Sequence, residues 1–274
     1  MKKALVLGGG GVTGIAWQVG LLLGLEKAGI HAAKVDLIVG TSAGSVTGSL
    51  LALGVDLAHS AAEQQKPDDD ERPIIADMAK VVSAFTVLFD GTKKPREARA
   101  EVGKMALAAE VDDEATYLRR FSRRLGAATW PTVPRLLITG VDTATGEAIA
   151  WDAHSEVPLL HAVAASCSVP CVFPPVTIGN ARYMDGGVRS TINADLAAGA
   201  EAVLVIAPML AFSFTWPKER AKLADSRVIL VGPDPAASEA IGPNVMDTSR
   251  RLRAFEAGLA QAAAVATEAG PDFG

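Results

Sequence analysis

The stretch that decides the fold is Val35-Asp36-Leu37-Ile38-Val39-Gly40-Thr41-Ser42-Ala43-Gly44. An apolar run ends in Gly-Thr-Ser-Ala-Gly and passes into the helix-like residues 45–53. The pattern predicts a strand, a sharp turn and a helix, with a serine at the apex. Such a turn needs small residues on both sides of Ser42, because the serine backbone is strained and the following helix packs close. Its hydroxyl then projects outward at a helix N-terminus, where negative charge is stabilised. This is the geometry of a nucleophile that attacks an ester carbonyl. A glycine-rich turn can show Gly-x-Ser-x-Gly by chance; the strand before and the helix after favour the nucleophile.

Upstream, residues 3–8 read as a buried strand and 13–28 as a helix ending at Gly29, a C-cap signal. With 35–53 this makes a βαβα start, the mark of a parallel sheet with helices on its faces. Residues 55–130 differ. They hold the acidic run Pro67-Asp68-Asp69-Asp70-Glu71, an apolar helical stretch over 74–89, and basic segments at Lys93-Lys94-Pro95-Arg96, Arg119-Arg120 and Arg123-Arg124. This region is expected to be a helical insertion or cap over the sheet. Strands are expected again over 135–141, 148–151, 172–178, 203–207 and 228–232, and a helix over 244–268 closes the chain. The expected fold is a single domain over 1–274, three-layer α/β/α, with a central and mainly parallel sheet.

A chain of 274 residues, 49% hydrophobic and 21% charged, is long enough to bury a substantial core. A net charge of −5 argues against a nucleic-acid partner. Two cysteines, Cys167 and Cys171, are too few for a disulfide framework or a zinc site, and read as buried thiols of a reducing compartment. The apolar residues 4–7 after Lys2-Lys3 break at four glycines, well short of the ~7–15 residues of a secretory signal. No run approaches the ~18 apolar residues of a membrane span. The expected location is cytoplasmic, with contact at a membrane surface allowed.

A serine nucleophile needs a base, and donors for the oxyanion it creates. Histidine is the usual base, and the chain has four: His31, His59, His154 and His161. In the α/β-hydrolase order a histidine follows late in the chain, and none follows His161. A triad through His154 or His161 stays on the page, but the sequence favours a site without histidine. A carboxylate directly against the serine can serve if burial and neighbours match its pKa. Asp185, in Tyr183-Met184-Asp185-Gly186-Gly187-Val188, is the leading candidate; an ordinary Asp-Gly turn is the competing reading. Gly8-Gly9-Gly10-Gly11-Val12-Thr13-Gly14 lies between the first strand and first helix. Its backbone N–H groups can converge on an anion, as an oxyanion hole or a phosphate cradle. Gly9, Gly11 and Gly14 also fit G-x-G-x-x-G, but a dinucleotide site expects an acidic residue at the end of the second strand. Asp36 lies at its start.

These motifs in this order resemble the patatin-like phospholipase family. Ala165-Ser166-Cys167-Ser168-Val169-Pro170 with Phe173-Pro174-Pro175, and the segment from Asn193 into the strand near 203, match it further. The resemblance runs over about 3–207 and is loose over 55–130. It implies a Ser-Asp dyad with Ser42 as nucleophile and Asp185 activating it, an oxyanion hole from Gly9, Gly10 and Gly11, and acyl transfer with no metal or cofactor. The substrate it implies is a lipid or another hydrophobic ester. The family usually has Arg or Lys where this chain has Thr13, which bears on phospholipid preference more than on hydrolysis. A non-catalytic nucleotide- or lipid-binding module using the glycine loop is the alternative in another class. Phe212-Ser213-Phe214-Thr215-Trp216-Pro217 reads as an acyl channel or lipid contact, or else as a packed loop. The basic residues over 119–124 read as a solvated helix face, with anionic lipid as the functional alternative.

Overall fold

The computed structural model describes residues 1–65 and 78–274. The acidic run at 67–71 and the first residues of the helix expected over 74–89 lie outside them. The chain opens with β1 (Lys3–Leu7), α1 (Gly11–Lys27), β2 (Leu37–Gly40) and α2 (Ala43–Ala52). Four helices follow: α3 (Leu57–Gln65), α4 (Met78–Leu88), α5 (Pro95–Ala108) and α6 (Glu114–Leu125). Then come β3 (Arg135–Asp142), β4 (Ala148–Trp151), α7 (Leu159–Ser166), β5 (Val176–Ile178) and β6 (Ala181–Asp185). β7 (Ala202–Ile206), α8 (Trp216–Lys222), β8 (Arg227–Val231), α9 (Pro235–Ile241) and α10 (Arg251–Phe273) complete the chain.

Two expected elements change. The strand over 172–178 shrinks to β5, because Pro174 and Pro175 cannot donate to a ladder and hold the preceding residues out of it. The closing helix begins at Arg251, not at 244. The short helices α7, α8 and α9 carry too few residues for a clear period, and the sequence reading had not placed them.

The sheet is mixed but mostly parallel. β1 pairs with β2 and β7, β2 with β3, and β7 with β8, all parallel. β3 also pairs antiparallel with β4 and β6, and β5 with β6. The register has a consequence for the site. Ile138 faces Gly40 on one side and Trp151 on the other, while Gly140 faces Asp185 and Ile149. β2 and β6 therefore share one edge of β3 and run toward each other. β2 stops level with Ile138 and β6 level with Gly140, so their C-terminal ends meet.

Both faces of the sheet are covered, so its central strands are apolar throughout rather than alternating. Leu5, Leu7, Ile38, Leu204 and Ile206 pack into a core shared with α1, α2, α7 and α10. Ala4, Val6, Val39, Val203 and Val205 face a second core closed by Ile192, Ala194, Ala197 and Leu223. A third core joins Val81 and Ala84 of α4 and Val102 and Ala106 of α5 to Val141, Met184 and Val188. It seats α4 and α5 against the end of β6.

α1 is buried between the sheet and α10. A Cβ on Gly20 would lie 2.1 Å from the Phe255 carbonyl oxygen, and one on Gly258 2.2 Å from that of Trp17. Only glycine at both positions permits this crossing. Gln18 then donates from Nε2 to the Gly8 carbonyl at 2.9 Å, tying the glycine loop to the helix it precedes. Among the described residues, no helix is long and apolar enough to cross a membrane.

Candidate active site

Ser42 immediately precedes α2 with φ 51° and ψ −117°. This is left-handed backbone in a residue that is not glycine, a conformation that costs roughly 1–3 kcal/mol and persists only when its surroundings enforce it. The enforcement is visible. A Cβ on Gly44 would lie 1.9 Å from the Leu7 carbonyl oxygen, and one on Gly40 2.7 Å from that of Gly44. The two glycines let α2 lie directly against β1. The Ser42 N–H donates to Ser166 Oγ at 3.0 Å, and its carbonyl accepts from Ser45 Oγ at 2.6 Å and Cys167 Sγ at 3.2 Å.

Asp185 ends β6 and meets Ser42 because the two strands converge on the same edge of β3. Its N–H donates to the Ser168 carbonyl at 2.9 Å. Oδ1 accepts the Gly187 N–H at 2.7 Å, and the carboxylate lines the same cavity as Ser42. The side chain is buried. Burial pushes its pKa up to about 7, against the opposing pull of the nearby Ser42 hydroxyl and of the Gly187 N–H. A Cβ on Gly186 would sit 2.1 Å from Thr139 Oγ1, so the chain can turn here only without a side chain.

Asn193 joins the two sides. It adopts the left-handed region, at φ 59°. Its Nδ2 donates to Thr41 Oγ1 at 3.0 Å and to the Ser190 carbonyl at 2.7 Å. Thr139 Oγ1 also donates to Thr41 Oγ1, at 3.0 Å. Arg189 donates to Asn193 Oδ1 and forks onto Asp195, which Lys222 also contacts at 2.9 Å. The residue before Ser42 and the loop after Asp185 are thus tied into one buried polar network.

The glycine loop faces the same point, with one change from expectation. The Gly9 N–H donates to the Thr191 carbonyl at 2.8 Å, so it is not available to an oxyanion. Gly9 instead gives close approach, since its Cβ would lie 3.4 Å from that of Ser42. Gly10 and Gly11 are the N-cap and first residue of α1. A helix has no upstream carbonyl for N–H groups in that turn. Thr13 is buried, with its N–H at 3.1 Å and its hydroxyl at 3.3 Å from the Val245 carbonyl.

Two cavities meet at Ser42. One of about 510 Å³ is lined by Gly9, Gly10, Gly11, Ser42 and Asp185, and by apolar residues that include Val81 and Phe85 of α4 and Met209. The other, about 70 Å³, is lined by Gly11, Ser42, Tyr117, Arg120, Phe121 and Cys167 among others. None of the four histidines lines either cavity. Among the described residues no cluster of His, Cys, Asp or Glu is grouped to hold a metal ion.

The arginines over 119–124 do not all follow the solvated-face reading, because Arg120 turns into the smaller cavity. Phe212 and Phe214 are exposed rather than packed, and Phe214 meets Phe89 edge-on with ring centroids 4.7 Å apart. The sequence reading missed Ser166, Ser168 and Asn193 as supports. Ser166 and Ser168 stood only within a serine-rich block, and for Asn193 the sequence offered only its residue type, since asparagine tolerates the left-handed region.

The family model for patatin-like phospholipase matches residues 5–198. Patatin-like phospholipase domain-containing protein 7 of Rattus norvegicus is 29% identical over 206 residues, covering 74% of this chain and 13% of that protein. Lysophospholipase nte1 of Aspergillus oryzae is 55% identical over 53 residues, covering 19% of this chain and 3% of that protein. The chain therefore spans a small part of the length of these relatives. VipD from Legionella pneumophila shares the fold, with a TM-score of 0.50 at 12% identity over 97% of this chain and 67% of VipD. By the match of the family model over most of its length, the chain belongs to the patatin-like phospholipase family.

Proposed function

We propose that this chain hydrolyses carboxylic esters of lipids through an acyl-serine intermediate, with Ser42 as nucleophile and Asp185 as its base. The observation that carries the reading is that Ser42, in its strained turn, and the buried Asp185 carboxylate line one largely apolar cavity together with the glycine loop. In the first step Asp185 takes the Ser42 proton as Oγ bonds to the carbonyl carbon. The oxyanion that forms is held by the Gly10 and Gly11 N–H groups and the positive end of α1. Gly9 drops out as a donor because Thr191 already accepts its N–H. Collapse breaks the ester C–O bond, and protonated Asp185 returns its proton to the departing alkoxide. Water then attacks the acyl-serine, losing its proton to Asp185; the bond from the acyl carbon to Oγ breaks, Asp185 returns the proton to Oγ, and the fatty acid leaves.

The large cavity, at about 510 Å³, falls in the range of ligand sites (~300–1,000 Å³) and suits an acyl chain. The name of the Aspergillus relative makes single-chain phospholipids the first substrates to test. A nucleotide cradle on the glycine loop is disfavoured by the Asp185 carboxylate in the same cavity, which repels a phosphate. We read residues 1–274 as one domain in which α3–α6 form the cap. We also read exposed Phe89, Phe212 and Phe214 as a peripheral contact for a lipid surface in a cytoplasmic enzyme. The deciding experiment treats the purified chain with a fluorophosphonate probe and maps the adduct by mass spectrometry. Labelling at Ser42 and hydrolysis of a lauroyl ester are expected. An unlabelled Ser42 together with no turnover defeats the hydrolase reading.

A further inference from the structure

An ester has two arms, and Ser42 stands between two cavities. Asp185 is the charged lining residue of the large one, and Arg120 of the small one. Arg120 is set in place by α6. Tyr117, one turn earlier, donates its hydroxyl to the Ala164 carbonyl at 3.1 Å and stacks on Phe173 at 4.9 Å between centroids. The Arg120 guanidinium lies 5.7 Å from the centroid of the same Phe173 ring, and its Nη2 donates to Asp112 at 2.9 Å. These contacts aim the guanidinium yet leave donors unused, since it carries five N–H groups. The Arg120 side chain is 21% exposed, so it spans the cavity wall and the solvent at the mouth. A partly exposed Arg–Asp pair contributes only ~0–1 kcal/mol, too little to explain why a cation is held in an apolar recess beside a serine.

We propose that Arg120 is a specificity-determining residue for the alcohol side of the ester, binding the phosphate of a phosphate-bearing leaving group while the acyl chain fills the large cavity. At about 70 Å³ the small cavity holds the volume of roughly two waters, so only the atoms next to the ester oxygen enter it. The phosphate meets Arg120 at the rim, where a guanidinium fork offers paired donors to its oxygens. The inference rests on the Ser42 reading for its place in a reaction, but its binding test does not.

The test is calorimetric titration of the 274-residue chain carrying Ser42→Ala, with and without Arg120→Gln. Two ligands share a lauroyl chain: lauroyl lysophosphatidylcholine and monolauroylglycerol, both below their aggregation concentrations. Arg120→Gln is expected to weaken the phosphate lipid about tenfold, or about 1.4 kcal/mol, and the glycerol ester by less than twofold. Arg120→Lys should recover part of the loss, and melting curves of both variants check that the fold is kept. Equal weakening of both lipids, or none of the phosphate lipid, overturns the assignment. Turnover of both lipids by the chain with Ser42 intact is measured in parallel. If neither is hydrolysed, the hydrolase reading fails and the binding contrast still decides the role of Arg120.

Discussion

Ser42 and Asp185 meet at one point but are held there by different means. Ser42 is fixed chiefly by one contiguous run, from β2 through two glycines to the first turn of α2, with Gly44 pressed against Leu7 of β1. Asp185 is fixed by pairing between distant strands, at the end of a short hairpin clamped to the far half of β3. The first side owes its shape to local sterics, the second to register. A serine elbow should therefore survive changes elsewhere, while the carboxylate should be sensitive to whatever disturbs β6 or the loop after it.

The largest effect tests both sides at the point of contact. Ser42→Ala is expected to lower ester turnover roughly 10⁴-fold or more with little change in melting temperature. Asp185→Asn should follow with a loss of roughly 10²–10⁴-fold, the usual worth of a general base. It carries a second signature. The Asp185 pKa is about 7 in the folded chain against 3.8 for an ordinary aspartate, so the native state binds the extra proton between those values and stability falls as pH rises through that window. The deficit above pH 7 is at most roughly 4 kcal/mol. Asp185→Asn should therefore melt higher than the parent at pH 8.5, with the advantage gone at pH 4. An equal difference at both values would remove the buried carboxylate as its cause.

A smaller effect is expected where the two sides are joined. Asn193→Ala cuts the link from Thr41 to the 186–190 loop and leaves buried polar groups short of a partner. Turnover should drop roughly 10–100-fold, with about 1–3 kcal/mol lost in urea unfolding. In the parent, kcat/KM should rise about tenfold per pH unit at low pH and reach half its plateau near pH 7, because the reaction needs Asp185 ionised. The smallest change belongs to the local side. Ser166→Ala takes the acceptor from the Ser42 N–H and should cost only a few-fold in kcat, since Gly40 and Gly44 still impose the turn. If Ser166→Ala proved as damaging as Asn193→Ala, the contrast between a locally and a distantly fixed side would collapse.

The same contrast governs what could be read from the sequence. β1, α1, β2 and α2 were legible within two or three residues because their signals are contiguous: apolar runs, glycine punctuation and a helix of ordinary length. Asp185 was legible as chemistry, from the two glycines after it, but its meeting with Ser42 depends on β6 entering the sheet backwards. Nothing in Ala181-Arg182-Tyr183-Met184 states a direction. The Gly9 N–H was assigned to the wrong partner for a similar reason, since its acceptor, Thr191, lies on a distant part of the chain. Arg120 looked like its neighbours in a basic helix, because the face a helix turns inward is set by what it lies on.

The meeting of β2 and β6 also sets an order of events during synthesis. The bond from Asn193 to Thr41 closes over 152 residues, so the serine elbow leaves the ribosome long before its carboxylate exists. Contacts at such separation form late, after the chain entropy of a long closure has been met. A nascent chain holding Ser42 alone has the hydroxyl in its turn but lacks the carboxylate proposed to take its proton. On the proposed mechanism, Ser42 gains its base only once β6 has docked on β3.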